Sequence, residues 1–128
     1  MKKSYLRKLR ERNRGLEQLL YEYVNALAKL YPNSTILIFG SRARGEYLPY
    51  SDYDVMIIVK DLNNKVEETI NAYKVKPHKL PVDLVLIDMS ELEDPVIQKM
   101  LKQGYKIVYD KLKISHKLPH NTIDETKT

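Results

Sequence analysis

Two short apolar runs rich in β-branched residues constrain the fold more than any other feature. Residues 35–39 (TILIF) and 55–59 (VMIIV) carry no charge and are bounded by polar or glycine-containing segments. Runs of this length and composition are typical of strands buried on both faces of a sheet. Residues 82–87 form a third run, apolar except for Asp83 and entered through Pro81, and residues 106–109 are a candidate fourth strand. We therefore expect about four strands.

Helical periodicity surrounds these strands. From residue 5 to residue 31 the apolar residues recur at steps of three, four or seven, which predicts a long N-terminal helix with one buried face. Residues 65–74 predict a short amphipathic helix, and residues 95–103 predict a helix that Gly104 closes. The fold class expected is therefore α/β (α+β), with helices and strands in one domain.

The length and composition predict one domain. The chain has 128 residues, 43% of them hydrophobic and none of them cysteine, which fits a single domain and excludes thiol chemistry. No apolar run approaches the roughly 20 residues of a membrane span, and no signal-peptide core follows the basic N-terminus. We expect a soluble, cytoplasmic protein with no membrane partner. Its domain is expected to occupy residues 1–110, and the polar residues 111–128 are expected to form a flexible tail.

The positive charge is concentrated at the N-terminus. Residues 1–14 hold seven Lys or Arg and one acid, a net charge of +6, so the remaining residues sum to −1 within a total of +5. This pattern differs from a basic groove that follows a phosphate backbone along the whole domain. A solvated helix face is the favoured interpretation, and contact with nucleic acid is the alternative.

The segment between the first two strands carries groups suited to phosphate. Gly40 and Ser41 directly follow the first strand, and Arg42 and Arg44 lie in the same turn. Glycine lets the backbone approach a phosphate closely, and free N–H groups at the start of a turn or short helix favour an anion. Arginine can add charge-assisted hydrogen bonds. These four residues are therefore candidate phosphate ligands.

Two acids stand where the second strand begins. Asp52 and Asp54 are at positions i and i+2, so both project from one face of the strand while Tyr53 points to the other. Two carboxylates on one face suit a hard divalent cation, and they repel each other unless something neutralises them. A Mg²⁺ ion bridged to a triphosphate would do so and would orient the phosphate. Asp pairs are also common in turns before strands, so this pair takes its significance from the preceding Gly-Ser turn.

A third acid interrupts the third strand. Asp83 lies in an otherwise apolar run, and a buried carboxylate is costly unless it is paired or bound to a metal. An edge-strand acid that faces water is the alternative. Asp88 is the competitor for the same role, but it is five positions further on and its parity places it on the opposite face. We favour Asp83 as the third carboxylate.

Together these segments resemble the signature of the polymerase-beta-like nucleotidyltransferases, and in particular the minimal (MNT) subfamily. The matching segments are 40–45 (GSRARG), 51–55 (SDYDV) and 82–85 (VDLV), and the resemblance covers roughly residues 20–110. It implies the polymerase-beta-like fold, a mixed sheet of about four strands flanked by helices, with ATP or another nucleoside triphosphate bound near Gly40 and Ser41. It also implies two Mg²⁺ ions, with Mn²⁺ as an alternative, held by the catalytic residues Asp52, Asp54 and Asp83.

The same resemblance implies a reaction and a partner. A nucleoside monophosphate, AMP being favoured, would pass to an acceptor hydroxyl that Asp83 helps to deprotonate. Minimal members are often encoded beside a HEPN-domain protein and resemble antitoxins that transfer AMP to a tyrosine of that toxin. A HEPN-family partner in a toxin–antitoxin pair is therefore implied, and a homo- or hetero-oligomer stays open. The alternatives are a non-catalytic antitoxin that acts by binding, and transfer to a nucleic-acid end or a small molecule such as an aminoglycoside.

Overall fold

The computed structural model describes residues 2–48, 50–121 and 123, and within the first helix it describes the side chains of residues 7, 8 and 11–30. The helices in this part of the chain are α1 (Lys2–Leu30), α2 (Gly40–Arg44), α3 (Lys65–Lys74) and α4 (Pro95–Lys102). The strands are β1 (Ser34–Phe39), β2 (Tyr53–Val59), β3 (Val82–Asp88) and β4 (Tyr105–Asp110). Two 3₁₀ helices, Met89–Glu93 and Ser115–Lys117, complete the described elements.

The four strands form one mixed sheet in the order β3-β2-β1-β4. β1 is antiparallel to both β2 and β4, whereas β2 and β3 are parallel because α3 crosses between them. The starts of β2 and β3 therefore meet the end of β1 at one end of the sheet. This confirms the predicted α+β architecture with its mixed four-stranded sheet.

Both faces of the sheet are covered, which is why the central strands are apolar without alternation. α1 and α3 pack on one face, where Tyr23 of α1 donates its hydroxyl hydrogen bond to the Ala72 carbonyl of α3 over 2.8 Å. α4 and the two 3₁₀ helices pack on the other face, around Met56 and Ile87. No helix among the described residues is long and apolar enough to cross a membrane.

The predicted elements are confirmed, with shifts of up to three residues at their ends. The segment after β1, predicted as a turn or short helix, begins with the short helix α2. Gly40 leaves the strand at a φ of 73°, and Gly45 ends the helix at a φ of 75°, a left-handed conformation that glycine adopts without steric cost. The glycines thus place a compact helical turn between the two central strands.

The structure differs from the prediction in the segment after β4. Residues 111–121 pack against the sheet: Ile114 and Leu118 are buried in the α4-side core, and the Tyr105 hydroxyl donates to the Pro119 carbonyl over 2.8 Å. The Asn121 side chain adds a hydrogen bond of 2.8 Å to the Tyr105 carbonyl. Two apolar residues four positions apart in a polar run carry too little periodicity to predict this packing. Residues 122 and 124–128 of the predicted tail lie outside the described residues.

Candidate active site

Gly40 lies directly against the side chain of Asp54. The antiparallel register sets Phe39 opposite Asp54, so Gly40 follows at the level of the Asp54 side chain. A Cβ atom built on Gly40 would overlap the Asp54 carboxylate oxygen Oδ2. The positive φ therefore favours glycine at position 40, and any larger residue there would also displace the Asp54 carboxylate.

The parallel register of β2 and β3 sets Asp54 directly beside Asp83. Asp54 is half-buried, whereas Asp83 and Asp52, the residue before β2, are exposed. Burial raises the pKa of the Asp54 carboxyl above its ordinary value, and repulsion from Asp83 and Asp52 raises it further, against the opposing charge of Arg44. The structure thus brings the three sequence-predicted acids into one electrostatic neighbourhood.

These acids fit a hard divalent cation by their donor chemistry. Carboxylate oxygens are the ligands that Mg²⁺ and similar ions prefer, and a bound cation would relieve the repulsion that raises the pKa of Asp54. In the described part of the chain, no three His, Cys, Asp or Glu side chains are already gathered into a metal cluster. The fit therefore rests on the donor set and its repulsion, not on a preformed coordination shell.

An open cleft of about 510 Å³ lies against Asp54, on the α4 side of the sheet. One wall comes from Phe39 and α2, and the other comes from one face of α4. The lining residues are Phe39, Gly40, Ser41, Arg44, Asp54, Val96, Lys99, Met100 and Gln103. The predicted phosphate ligands Gly40, Ser41 and Arg44 are thus brought together beside Asp54.

The α4 wall is the part of the cleft that sequence reasoning missed. Lys99 adds a second cation to the one of Arg44, and Val96 and Met100 add apolar surface. Arg44 is held toward this wall, because its Nη1 donates to Gln103 Oε1 over 3.4 Å and its Nε pairs with Glu46 Oε2 at 3.2 Å. The helical periodicity of residues 95–103 predicted α4 itself, but only the docking of α4 on the sheet shows which residues face Ser41.

Arg42 is the sequence-predicted phosphate ligand that the structure does not bring to the cleft. Its guanidinium lies on the α1 face of the sheet, where it is 7% exposed. Arg42 Nε and Nη2 both donate to the Ser51 carbonyl, at 3.1 and 3.0 Å. Arg42 and Arg44 are two positions apart on a helix, so their side chains point in different directions. The prediction that Arg42 binds phosphate is therefore corrected.

Three tyrosines near the motif contact arginines. The rings of Tyr47 and Tyr53 have their centroids 4.1 and 4.4 Å from the Arg42 guanidinium carbon, and Tyr50 lies 4.3 Å from that of Arg12. These cation–π contacts hold the loop before β2 against α1 and α2.

Asp88, the competitor of Asp83, has a structural role at the other end of β3. Its carboxylate accepts hydrogen bonds from the Ser90 and Leu62 backbone N–H groups, at 2.9 and 2.7 Å, and it caps the 3₁₀ helix Met89–Glu93. These bonds, the one from Ser90 above all, hold the pKa of Asp88 below its ordinary value.

We expect Asp88→Ala to lower the free energy of unfolding, because it leaves these two N–H groups without their acceptor. A lowered carboxyl pKa contributes stability above its unfolded value, and this contribution is lost as pH falls through the folded one. The difference between Asp88→Ala and wild type should therefore shrink in acid, as urea denaturation at several pH values would reveal. A difference that grew toward low pH would contradict this role.

Comparison with known proteins agrees with this geometry. Residues 20–114 match the family model described as a nucleotidyltransferase domain. A Methanocaldococcus jannaschii protein with the provisional name protein adenylyltransferase is 29% identical in an alignment of 108 positions, and the match covers 75% of this chain and 73% of that protein.

Two solved structures share the fold. The first is a provisionally named nucleotidyltransferase from Sulfolobus solfataricus, with a TM-score of 0.62 and 26% identity over 82% of this chain and 89% of that one. The second is the spectinomycin adenyltransferase of Enterococcus faecialis, solved with ATP and spectinomycin. It has a TM-score of 0.56 and 18% identity, and the match covers 79% of this chain and 60% of that one.

Proposed function

This chain belongs to the nucleotidyltransferase domain family, and we propose that it transfers AMP from ATP to a hydroxyl group of a partner protein with the help of divalent cations. One observation carries the proposal: the sheet sets Asp83 beside Asp54, and Asp54 lines the cleft together with Gly40, Ser41 and Arg44. Protein as the acceptor class is supported by the provisional name of the Methanocaldococcus jannaschii relative.

In this proposal the cleft holds the triphosphate. Ser41 and the Gly40 backbone contact its phosphate oxygens, and Arg44 and Lys99 neutralise its charge from the two walls. Asp52, Asp54 and Asp83 hold the divalent cations, Mg²⁺ being favoured over Mn²⁺. Bound cations supply charge neutralisation at the phosphates and orient them for in-line displacement.

Asp83 is the residue proposed to take the proton. The acceptor oxygen forms a bond to the α-phosphorus, the bond from that phosphorus to pyrophosphate breaks, and the hydroxyl proton moves to the Asp83 carboxylate. Asp83 suits this role because it is exposed at the start of β3, an edge strand of the sheet, where an acceptor can reach it from outside.

The exposure of the acids also supports a macromolecular acceptor. Asp52 and Asp83 are both exposed, and Leu48 and Tyr50, in the loop that leads to Asp52, are 75% and 66% exposed. A partner protein that covers this end of the sheet would bury these side chains and exclude water from the reaction. A HEPN-family protein, with this chain as its cytoplasmic antitoxin, is the partner we propose.

Intact-mass analysis of this chain with ATP, Mg²⁺ and a candidate partner tests the function. We expect the partner to gain the mass of one or more AMP units, and we expect EDTA to prevent the gain. Asp83→Asn should slow transfer by roughly 10²–10⁴-fold, the contribution of a general base. Asp88→Asn is the matched control on the same strand and should transfer AMP at nearly the wild-type rate.

The outcomes separate the proposal from its rivals. Transfer that persists in EDTA, or in Asp83→Asn at the wild-type rate, would exclude the proposed chemistry. AMP on an RNA end or on a small molecule, and not on the partner, would show that the acceptor is a nucleic acid or a small molecule and not a protein. A partner silenced equally well by the Asp52→Asn/Asp54→Asn double variant would favour an antitoxin that acts by binding alone.

A further inference from the structure

Arg42 is the one charged side chain that is buried among the residues the structure describes. Its exposed fraction is 7%, and the other buried polar residues in the described part of the chain are the uncharged Ser34 and Thr35. A buried cation is costly unless hydrogen bonds and neighbouring charge or π-density compensate for its lost hydration. The groups that surround Arg42 therefore indicate what it does.

Two of those groups belong to Ser51 and Tyr53, the residues on either side of Asp52 in the chain. Both Nε and Nη2 of Arg42 donate to the carbonyl of Ser51, at 3.1 and 3.0 Å, and the ring of Tyr53 stacks 4.4 Å from the guanidinium carbon. Tyr47, earlier in the same loop, covers the guanidinium as well, at 4.1 Å. Asp52 is thus bracketed by two residues that the same guanidinium holds.

The guanidinium also ties this loop to the long helix. Arg42 Nη1 donates to Oδ1 of Asn13 over 3.4 Å, and Arg12 of the same helix stacks on Tyr50. Within the loop, Leu48 and Ser51 exchange two hydrogen bonds of 3.0 Å, one of them to the Ser51 hydroxyl. The contacts of Arg42 connect this compact turn to α1 and to the start of β2.

We propose that Arg42 is a positioning residue. Its guanidinium holds Ser51 and Tyr53, and this keeps the Asp52 carboxylate in position beside the carboxylate of Asp54. This rests on the proposed role of Asp52 in nucleotidyl transfer. Asp52 is exposed and lies before the first residue of β2, so the sheet ladder does not hold it as it holds Asp54. A displacement of about 1 Å at a reacting group can cost roughly 10²-fold in rate, so fixing this loop has catalytic consequences.

The test compares Arg42→Met, Arg42→Lys and a control, Arg14→Met, which removes an exposed cation from α1. For Arg42→Met we expect kcat to fall by roughly 10²-fold. The KM for ATP should stay within about twofold, because Arg42 does not line the cleft. Arg42→Lys should be intermediate, since an ammonium can reach the Ser51 carbonyl but cannot donate twice in one plane or stack on both rings. Arg14→Met should match wild type.

Amide hydrogen exchange of the free proteins gives a readout that does not depend on activity. In Arg42→Met, faster exchange should be confined to residues 46–53, with the rest of the sheet protected as in wild type. An unchanged kcat would overturn the proposal. A raised KM for ATP with normal kcat would also overturn it, because it would indicate that Arg42 binds the phosphates of ATP. Faster exchange throughout the sheet would also overturn it, because it would show a general structural role.

A further variant keeps the test decisive if Arg42→Met does not fold. Tyr47→Leu removes one of the two stacked rings and leaves both hydrogen bonds to Ser51, so a smaller loss of kcat with the same local exchange pattern is expected. Tyr47→Leu with normal kcat and normal exchange would contradict the proposal. If the wild-type protein transfers no AMP at all, the proposed function fails, whereas the exchange measurement still decides whether Arg42 holds the loop.

Discussion

Asp54→Asn is expected to abolish nucleotidyl transfer while it raises the free energy of unfolding at neutral pH. Activity falls because the half-buried carboxylate beside the cleft is lost. Stability rises because burial and the charges of Asp83 and Asp52 disfavour the ionised form, as the raised pKa of Asp54 indicates. The gain should be roughly 0.2–1 kcal/mol, the size of a like-charge cross-strand pair. Urea denaturation alongside the transfer assay measures both effects.

The pH dependence of this gain follows from the direction of the pKa shift. A carboxyl whose pKa is raised on folding favours the folded state below its unfolded pKa, and this advantage is lost as pH rises through the folded value. Asn carries no charge at any pH. The gain of Asp54→Asn over wild type should therefore be greatest at neutral pH and should disappear in acid, where wild-type Asp54 is protonated. A variant less stable than wild type at neutral pH would show that the three acids do not repel one another in the folded protein.

Gly40→Ala is expected to cause the second large effect, a loss of both stability and transfer. Its φ of 73° costs an alanine about 1–2 kcal/mol, and the Asp54 carboxylate would have to move away from the new Cβ, which adds to that cost. The displaced carboxylate should lower transfer by roughly 10²-fold. Thermal and urea unfolding, with the transfer assay, measure these losses.

Variants of two other glycines distinguish the cost of the backbone conformation at Gly40 from the cost of its contact with Asp54. Gly45 has a φ of 75°, and a Cβ atom added there would meet nothing within 4 Å, so Gly45→Ala should show the backbone cost alone. Gly15, in the middle of α1, also has open space, and Gly15→Ala should stabilise the helix by about 0.5–1 kcal/mol. In an Asp54→Ala background the cost of Gly40→Ala should fall toward that of Gly45→Ala. Equal costs for Gly40→Ala and Gly45→Ala in the wild-type background would show that the close approach to Asp54 has no energetic weight.

Local sequence predicted most of the elements because the signals are strong over short distances. Apolar runs that the sheet buries on both faces marked β1 and β2, and α3 was predicted at its observed bounds, 65–74. An asparagine cap supports the start of that helix, since the Asn64 side chain accepts from the Glu67 N–H over 3.1 Å. The segment after β4 was not predicted, because its burial depends on Ile114 and Leu118 reaching a surface made by distant strands.

For the acids, too, local sequence predicted one part of the arrangement and the packing of distant elements decided the rest. Alternation along a strand placed Asp52 and Asp54 on one side, and parity separated Asp83 from Asp88. In the structure, Asp83 pairs with Asp54 across the sheet, whereas Asp88 caps a 3₁₀ helix. The spacing of Arg42 and Arg44 shows only that their side chains point in different directions, because residues two apart on a helix do not face each other. How α2 packs on the sheet decides which of the two lines the cleft.

The sequence by itself determined the kinds of element, their order, the chemical groups near the first two strands, and the family resemblance, since each depends on residues close together in the chain. Tertiary structure alone decided three things: the register that sets Asp54 beside Asp83, the α4 wall with Lys99, and the burial of Arg42 against Ser51. These depend on how elements far apart in sequence pack, and packing is set by the sum of many weak contacts over the whole fold. No short window of the chain contains that sum.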